Sequence, residues 1–217
     1  MRIGGFVPVS LCDYPCRVAA VVFTQGCNFH CPFCHNGHLV ESGGTLLDES
    51  MVLARLDERR AHLGGVVISG GEPTLQPDLG EFLARLKSLG LEVKLDTNGS
   101  RPDVLEMLFA AQLVDYVAMD IKAPWTTYDR LTGGARDTIL LRRSLRLIAG
   151  SGLPHEFRTT RVDPLLSADD CAEIARQVPE GSMHKWQRFR PEHSLDPALR
   201  VPAPTPAVSA LVNTFDL

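Results

Sequence analysis

Residues 18–36, VAAVVFTQGCNFHCPFCHN, join an apolar run to a loop that is rich in cysteine. The first six residues are all apolar, which is typical of a strand buried on both faces. Gly26 and Pro32 follow and interrupt that pattern. Cys27, Cys31 and Cys34 lie four and three residues apart in the loop. The stretch therefore predicts a buried strand whose carboxyl end leads into a loop carrying three thiols.

Apolar, β-rich runs alternate with amphipathic helical patterns along the rest of the chain. The predicted strands are residues 18–23, 66–69, 91–97, 114–121, 156–161 and 183–189. The predicted helices are residues 49–62, 77–89, 102–111, 138–149 and 168–177. This alternation indicates an α/β fold with parallel strands and right-handed crossovers, as in a barrel, an incomplete barrel or an open doubly wound sheet. Six strand–helix units are fewer than the eight of a complete barrel.

The end of the chain differs in composition. Five prolines occur between Pro191 and Pro206, and proline disfavours helix interiors and central strands. We therefore expect residues 1–190 to form the α/β domain and residues 191–217 to form an extension that packs on its surface.

Composition limits the classes of function. The chain has 217 residues, 44% of them hydrophobic, and a net charge of -4. It therefore has enough apolar residues for one core, and it lacks the excess positive charge that nucleic acid or an anionic membrane would attract. No run approaches the roughly 20 apolar residues of a membrane span. We expect a cytoplasmic protein with neither nucleic acid nor membrane as partner, and six cysteines that are not a disulfide scaffold.

The three clustered thiols admit three interpretations. An iron–sulfur cluster held by three cysteines would leave one iron open to another ligand. A structural zinc site would need a fourth ligand, for which His30, His35 and His38 are available. Buried thiols without a metal are the third interpretation. Structural zinc sites usually have two C-x2-C pairs, and the second pair is missing here. The glycine, proline and histidine around the cysteines argue against inert thiols, so we rank the cluster over zinc, and zinc over inert thiols.

Polar residues recur where the predicted strands end. The segment SGGEPT, residues 69–74, follows the second strand, and its glycines would let a ligand approach the backbone. The later candidates at strand ends are Asp96, Thr97, Asn98, Asp120, Lys122, Arg158, Arg188 and His193. Because the carboxyl ends of parallel strands share one rim, we expect these side chains to form one ligand site with the thiols.

The motif C-x3-C-x-aromatic-C, here Cys27, Cys31, Phe33 and Cys34, resembles the mark of the radical S-adenosylmethionine (SAM) enzymes. Within that superfamily, the chain is most similar to glycyl-radical-enzyme activating proteins, in particular those of anaerobic ribonucleoside-triphosphate reductase. The segments that carry this narrower resemblance are DYP at 13–15, FTQGCNFHCPFCHN at 23–36, SGGEPT at 69–74, LDTNG at 95–99 and MDIK at 119–122.

The resemblance implies a partial (βα)6 barrel of the TIM type, the radical SAM core. It also implies one 4Fe-4S cluster, held by Cys27, Cys31 and Cys34, whose fourth iron binds SAM. The other implied cofactor-binding residues are Phe33 and His35 beside the adenine, and Gly70, Gly71 and Glu72 at the methionyl amine.

Further positions match those that hold the SAM carboxylate and ribose in related activating enzymes. Asp96, Thr97 and Asp120 match positions that place the carboxylate, in some relatives through a bound monovalent cation. The residues implied to contact the carboxylate and ribose are Lys122, Arg158 and His193.

The implied reaction is reductive cleavage of SAM to methionine and a 5'-deoxyadenosyl radical, which then takes hydrogen from a glycine of a partner glycyl-radical enzyme. The electron would come from a donor such as flavodoxin or ferredoxin. Two alternatives stay open: a small-molecule radical SAM enzyme resembling 7-carboxy-7-deazaguanine synthase, and a non-catalytic zinc or redox-sensing adaptor.

The remaining cysteines lie outside the motif. Cys16 stands where the family usually has glycine after Asp-Tyr-Pro. Two thiols at Cys12 and Cys16 are too few for a second cluster, and Cys171 is far away in sequence. We predict that all three are free thiols without a ligand role.

Overall fold

One seven-stranded sheet organises the chain, of which the computed structural model describes residues 1–134, 137–163 and 165–200. The strands are β1 (Ile3–Ser10), β2 (Ala19–Thr24), β3 (Gly65–Gly70), β4 (Glu92–Thr97), β5 (Tyr116–Asp120), β6 (His155–Arg161) and β7 (Met183–Arg188). They lie side by side in chain order, with β1 antiparallel to β2 and every later pair parallel. Strands β1 and β7 are therefore the two edges of the sheet.

Helices follow the parallel strands and bury one face of the sheet. They are α1 (Glu49–Arg59), α2 (Leu79–Ser88), α3 (Pro102–Ala110), α4 (Tyr128–Thr132), α5 (Thr138–Ala149) and α6 (Ala168–Gln177). Their apolar residues and those of the strands form one large core. The six predicted strands and five predicted helices are all present, with ends shifted by a few residues. The predicted α/β fold, a partial (βα)6 barrel, is confirmed.

Two elements were not predicted from the sequence. Strand β1 contains Gly4, Gly5 and Pro8, which hide its strand pattern but are tolerated because β1 is an edge strand. Helix α4 has five residues, too few to show a helical period, and it ends at Gly133, whose φ is 74°.

The opposite face of the sheet lines the inside of the partial barrel. Val93 and Leu95 of β4 belong to the large core, whereas Lys94 between them lies over the ring of Tyr116. Tyr116 packs against a second, smaller apolar cluster around Tyr14. Side chains therefore alternate along β4, and Lys94 and Asp96 share the interior face.

The first part of the proline-rich segment packs beside the cysteine loop. The backbone N–H of Asp196 donates to the carbonyl of Pro32 at 2.8 Å, and Leu195 lies against Gly37. The predicted division at residue 190 stays a prediction, and the rest of the extension, residues 201–217, lies outside the described residues. Within the described part of the chain, no helix is both long and apolar enough to cross a membrane.

Candidate active site

Backbone hydrogen bonds hold the cysteine loop, residues 25–36, against the rest of the chain. The N–H groups of Gly26 and Cys27 donate to the carbonyls of Leu39 and Val40, at 2.7 and 3.1 Å. Within the loop, the N–H of Cys34 donates to the carbonyl of Cys31 at 3.0 Å. These bonds fix the directions in which the three thiols leave the backbone.

Helix α4 supports the loop from the side. The N–H of His30 donates to the carbonyl of Thr132 at 2.9 Å. A Cβ atom at Gly133 would lie 2.5 Å from the carbonyl oxygen of His30, far inside van der Waals contact. Glycine at this position therefore allows both the left-handed end of α4 and its close packing on the loop.

A cavity of about 330 Å³ lies at the carboxyl ends of the parallel strands. It brings together every sequence-predicted site residue except Arg188 and His193: Cys27, Cys31, Phe33, Cys34, His35, Gly70, Gly71, Glu72, Asp96, Thr97, Asn98, Asp120, Lys122 and Arg158. The shared rim expected for a parallel sheet is therefore present, and the cysteine loop forms part of its wall.

The chemistry of the donor set fits a 4Fe-4S cluster. Cys31 is buried, Cys27 and Cys34 are partly buried, and all three face the same cavity. Burial raises the pKa of Cys27 to about 11 and that of Cys31 to about 12, while the charge of Lys122 opposes the rise. Thiols at such sites become ligands as thiolates, so bound iron would supply the positive charge that stabilises them.

A single metal ion is a different arrangement. Among the described residues, no group of three or more His, Cys, Asp or Glu side chains is arranged to hold one metal ion. The cysteines of a 4Fe-4S cluster bind different irons, so their sulfurs surround a cavity instead of meeting at one point.

Gly70 and Gly71 pack the end of β3 against the start of the cysteine loop. A Cβ atom at Gly70 would lie 2.4 Å from the backbone nitrogen of Thr24, and one at Gly71 would lie 2.2 Å from the carbonyl oxygen of Gly26. The sequence suggested that these glycines let a ligand approach. The structure shows a second reason for glycine at both positions, because a Cβ atom would collide with neighbouring backbone atoms.

Glu72 connects the SGGEPT segment to the end of β4. Its buried carboxylate accepts hydrogen bonds from the N–H and hydroxyl of Thr74, from the Thr97 hydroxyl at 2.8 Å and from the Asn98 N–H at 2.6 Å. Burial raises the pKa of Glu72, and these donated bonds oppose that rise. Three of the four bonds use Oε1, so Oε2 retains the greater capacity to accept a bond from a ligand.

Charged side chains pair with one another across β4, β5 and β6. Arg158 contacts Asp96 at 3.2 Å through Nη1 and donates to Asp120 at 2.9 Å through Nε. The other Asp120 oxygen lies 3.2 Å from the ammonium of Lys122. Burial alone would raise the pKa of Asp120, but Arg158 and Lys122 lower it to about 2. The cavity therefore holds fixed charges of both signs that are paired with one another.

His193 lies outside the cavity, in an adjoining groove. This β7 groove of about 940 Å³ runs between β7 and residues 12–13, and includes Trp186, Arg188 and Arg190 on the β7 side. His35 borders both spaces, stacks on Phe189 at 5.8 Å and accepts from the Arg190 N–H at 3.2 Å. Burial and the nearby charge of His193 lower the pKa of His35.

Two cavity residues, Ser69 and Asn36, were not selected individually from the sequence as site residues, and the contacts of Asn98, which was selected, were not predicted. Ser69 donates to Asp96 at 3.1 Å, Asn36 donates to the carbonyl of Gly70 at 3.3 Å, and Asn98 donates to Asn28 at 2.9 Å. Ser69, Asn36 and Asn98 all occur in the motifs quoted above. Their position in the cysteine loop or at the end of a strand is the sequence feature that could have selected them. Their hydrogen-bond partners could not be inferred from that position.

A model of the radical SAM superfamily matches residues 21–178 of the chain. The chain belongs to the radical SAM superfamily. It is a radical SAM enzyme, and the superfamily implies the 4Fe-4S cluster and SAM for which the cavity supplies thiols and charged groups. The alternative of a non-catalytic adaptor is therefore wrong.

Similarity extends to individual radical SAM proteins. A Methanocaldococcus jannaschii protein, provisionally named as a glycyl-radical enzyme activating enzyme, is 35% identical over 201 residues, covering 89% of this chain and 82% of its own length. The pyruvate formate-lyase-activating enzyme of Listeria monocytogenes is 36% identical over 115 residues, covering 47% of this chain and 46% of its own length. The chain thus spans under half of the Listeria enzyme.

A solved radical SAM structure shares the fold. The crystal structure of Streptococcus suis SuiB bound to precursor peptide SuiA has a TM-score of 0.64 and 15% sequence identity. The match covers 78% of this chain and 39% of SuiB, so the chain corresponds to about two fifths of that protein. At this identity the likeness concerns the fold alone.

Proposed function

We propose that the chain is a glycyl-radical-enzyme activase, with anaerobic ribonucleoside-triphosphate reductase as its partner. The observation that carries the proposal is one cavity that collects the three thiols and the matched SAM-contact residues other than His193, and that borders an open groove along β7. The two similar proteins named for activating enzymes support the activase class. The reductase partner rests on the quoted sequence segments.

When bound, the reduced 4Fe-4S cluster and SAM would supply one-electron cleavage of SAM, with methionine as the leaving product and a carbon radical able to take hydrogen from a glycine Cα. The chain's own residues bind and orient. Cys27, Cys31 and Cys34 would hold the cluster, and Arg158 and Lys122 offer positive charge to the SAM carboxylate. The buried walls around them would limit access of water to the reacting atoms.

Among the described residues, no further strand pairs with β7, and this edge of the sheet favours a protein as the second substrate. The β7 groove adjoins the cavity, and both are lined by Asp13, His35, Thr160 and Gln187. A loop of a partner protein could enter along β7 and bring its glycine to the cavity. Lys185, Arg188 and Arg190 outnumber the acidic residues of the groove, Asp13 and Glu192, and this excess of positive charge favours an acidic loop of the partner.

The electron donor belongs to the proposal as well. A one-electron reductant such as flavodoxin or ferredoxin is required, because the cluster must be reduced before each cleavage.

A monovalent cation is not part of the proposal. Each oxygen of Asp96 and Asp120 already faces a cationic side chain, so the donor set predicted for that ion does not fit an additional positive charge.

The test uses the reconstituted, reduced protein with SAM and a purified anaerobic ribonucleoside-triphosphate reductase. Electron paramagnetic resonance (EPR) should then show a glycyl radical that is absent when SAM or the activase is omitted. A reductase in which the radical-bearing glycine is replaced by alanine is the matched control. Efficient cleavage of SAM with no protein radical in this or any other glycyl-radical enzyme would contradict the activase function. Conversion of a tetrahydropterin substrate would support the small-molecule alternative.

A further inference from the structure

Strand β4 places a lysine inside the partial barrel, beneath the cavity. Lys94 is 1% exposed and lies outside the set of residues that line the cavity, whereas its neighbour on the same face, Asp96, lines it. Lysine is almost never fully buried unless its charge is paired. The mechanism described above gives this ammonium no role, so its burial needs a separate explanation.

The partner of Lys94 is Asp96. The ammonium donates to Asp96 Oδ1, and it lies 5.9 Å from the centre of the Tyr116 ring, whose face also favours a cation. Asp96 Oδ2 accepts from the Ser69 hydroxyl at 3.1 Å and contacts Arg158 Nη1 at 3.2 Å. Asp96 is therefore held from below by Lys94 and from the side by Arg158.

The pairing continues to the next strand. Arg158 also donates to Asp120, and Asp120 pairs with Lys122. The chain of alternating charges thus runs from Lys94 through Asp96, Arg158 and Asp120 to Lys122. Burial alone would raise the pKa of Asp96, but Arg158 and Lys94 together lower it. A fixed Asp96 in turn fixes the guanidinium of Arg158.

The Thr97 hydroxyl oxygen, which a monovalent cation would also use, already takes part in hydrogen bonds. The Thr97 hydroxyl donates to Glu72 and accepts from the Gly99 N–H at 3.0 Å. Hard cations take several oxygen ligands, and here an added cation would meet the positive charges of Lys94 and Arg158 at once. The interior of the barrel already contains the positive charge that this position requires.

We propose that Lys94 is a positioning residue, a resident cation that holds Asp96 and through it Arg158, and that supplies from beneath Asp96 the positive charge that an exchangeable monovalent cation would otherwise provide. This inference rests on the SAM placement in the proposed function, but not on the partner protein. SAM affinity should then be independent of potassium and sodium ions.

The experiment measures the SAM dissociation constant of the reconstituted protein by calorimetry, in potassium chloride and in choline chloride at equal ionic strength. The wild-type value should change by less than about twofold between the two salts. Lys94→Met should bind SAM about tenfold more weakly in choline chloride, because a charged hydrogen bond is lost beneath Asp96. Potassium or ammonium ions, which can replace the missing charge, should restore most of that affinity.

The matched control is Lys87→Met, which removes a Lys87–Asp115 pair of 2.6 Å away from the cavity. It should keep wild-type affinity in both salts. A wild-type protein that loses SAM affinity about tenfold without potassium or sodium would overturn the inference, and so would a Lys94→Met protein with unchanged affinity in choline chloride.

If Lys94→Met does not fold, the wild-type comparison still decides between the two outcomes, and Lys94→Arg should retain cation-independent binding. Failure of the activase function would appear as a missing glycyl radical, with the salt dependence of SAM binding unchanged.

Discussion

Cys16 has a backbone φ of 60°, in the left-handed region that favours glycine. Glycine is usual at this position in the family that the sequence resembles, and the left-handed backbone conformation gives the physical reason. Cys16 is exposed, so its thiol contributes little packing to offset the strain.

We predict that Cys16→Gly stabilises the protein by about 0.5–1 kcal/mol, since relief of left-handed strain exceeds the added chain entropy. Thermal unfolding of the anaerobic holoprotein measures the change. Cys16→Ala, which retains a Cβ atom, should unfold at the wild-type temperature. Equal stabilisation by both variants would mean that the thiol, not the backbone, is responsible.

We expect the cysteines that line the cavity to bind iron and the other cysteines not to bind it. We predict about four irons per chain in the reconstituted protein, and loss of most of them in Cys31→Ser, because this thiol lines the cavity. Cys12→Ser and Cys171→Ser should keep the wild-type iron content, measured by metal analysis and visible absorption. Near eight irons per chain, or loss of iron in Cys12→Ser, would indicate a second cluster.

For individual residues, the sequence predicted which side chains reach the cavity better than it predicted the contacts that they make there. Position at the end of a parallel strand was enough to select Asp96, Asp120 and Arg158. Their pairing was not readable, because it depends on the register of β4, β5 and β6. Lys94 gave no signal, since a lysine within a strand usually faces solvent. His193 follows β7, where the chain leaves the strand pattern, and it lies in the groove instead of the cavity.

Among the elements, β7 is unusual because much of both its faces is exposed. Trp186, at 41% exposure, packs on His184 with 4.6 Å between ring centres and borders the β7 groove. An exposed tryptophan on such a surface is typical of a binding residue at an interface.

We predict that Trp186→Ala weakens the apparent affinity for the partner protein about tenfold and leaves SAM cleavage without the partner unchanged. The initial rate of glycyl radical formation against partner concentration measures the affinity. Met183→Ala, an exposed residue of the same strand outside the groove, is the control. If Trp186→Ala also slowed cleavage without the partner, the residue would act on the cavity and not on docking.

Periodicity identified the elements that bury apolar residues, such as α2 and β3, because their sequence pattern and burial agree. It missed β1 because Gly4, Gly5 and Pro8 obscure the alternation, and the edge position that permits them is a property of the whole sheet. Ser167 and Asp170 form a capping box at the start of α6. A contact of this kind can be predicted from the sequence when both partners lie within one turn of the helix.

In the whole molecule, the order of the strands places the cysteine loop, the charged residues and the β7 groove at one end. The amino end of the barrel interior contains the cluster of Tyr14, Ala19, Val21 and Val67, while the carboxyl end is polar. The sheet therefore separates the apolar residues that stabilise it from the polar residues that line the cavity. In the part of the chain that the structure describes, β7 has no strand on its outer side, and the β7 groove adjoins the polar end there.

The proposed reaction transfers a hydrogen atom from a partner glycine to the 5' carbon derived from SAM. To follow that atom, a glycyl-radical enzyme whose glycines carry deuterium at Cα is incubated with the reduced activase and SAM, and the 5'-deoxyadenosine formed is analysed by mass spectrometry. We expect the 5'-deoxyadenosine to gain one deuterium, and to gain none when the radical-bearing glycine is alanine. Formation of 5'-deoxyadenosine without deuterium in the presence of the labelled partner would contradict the proposed transfer.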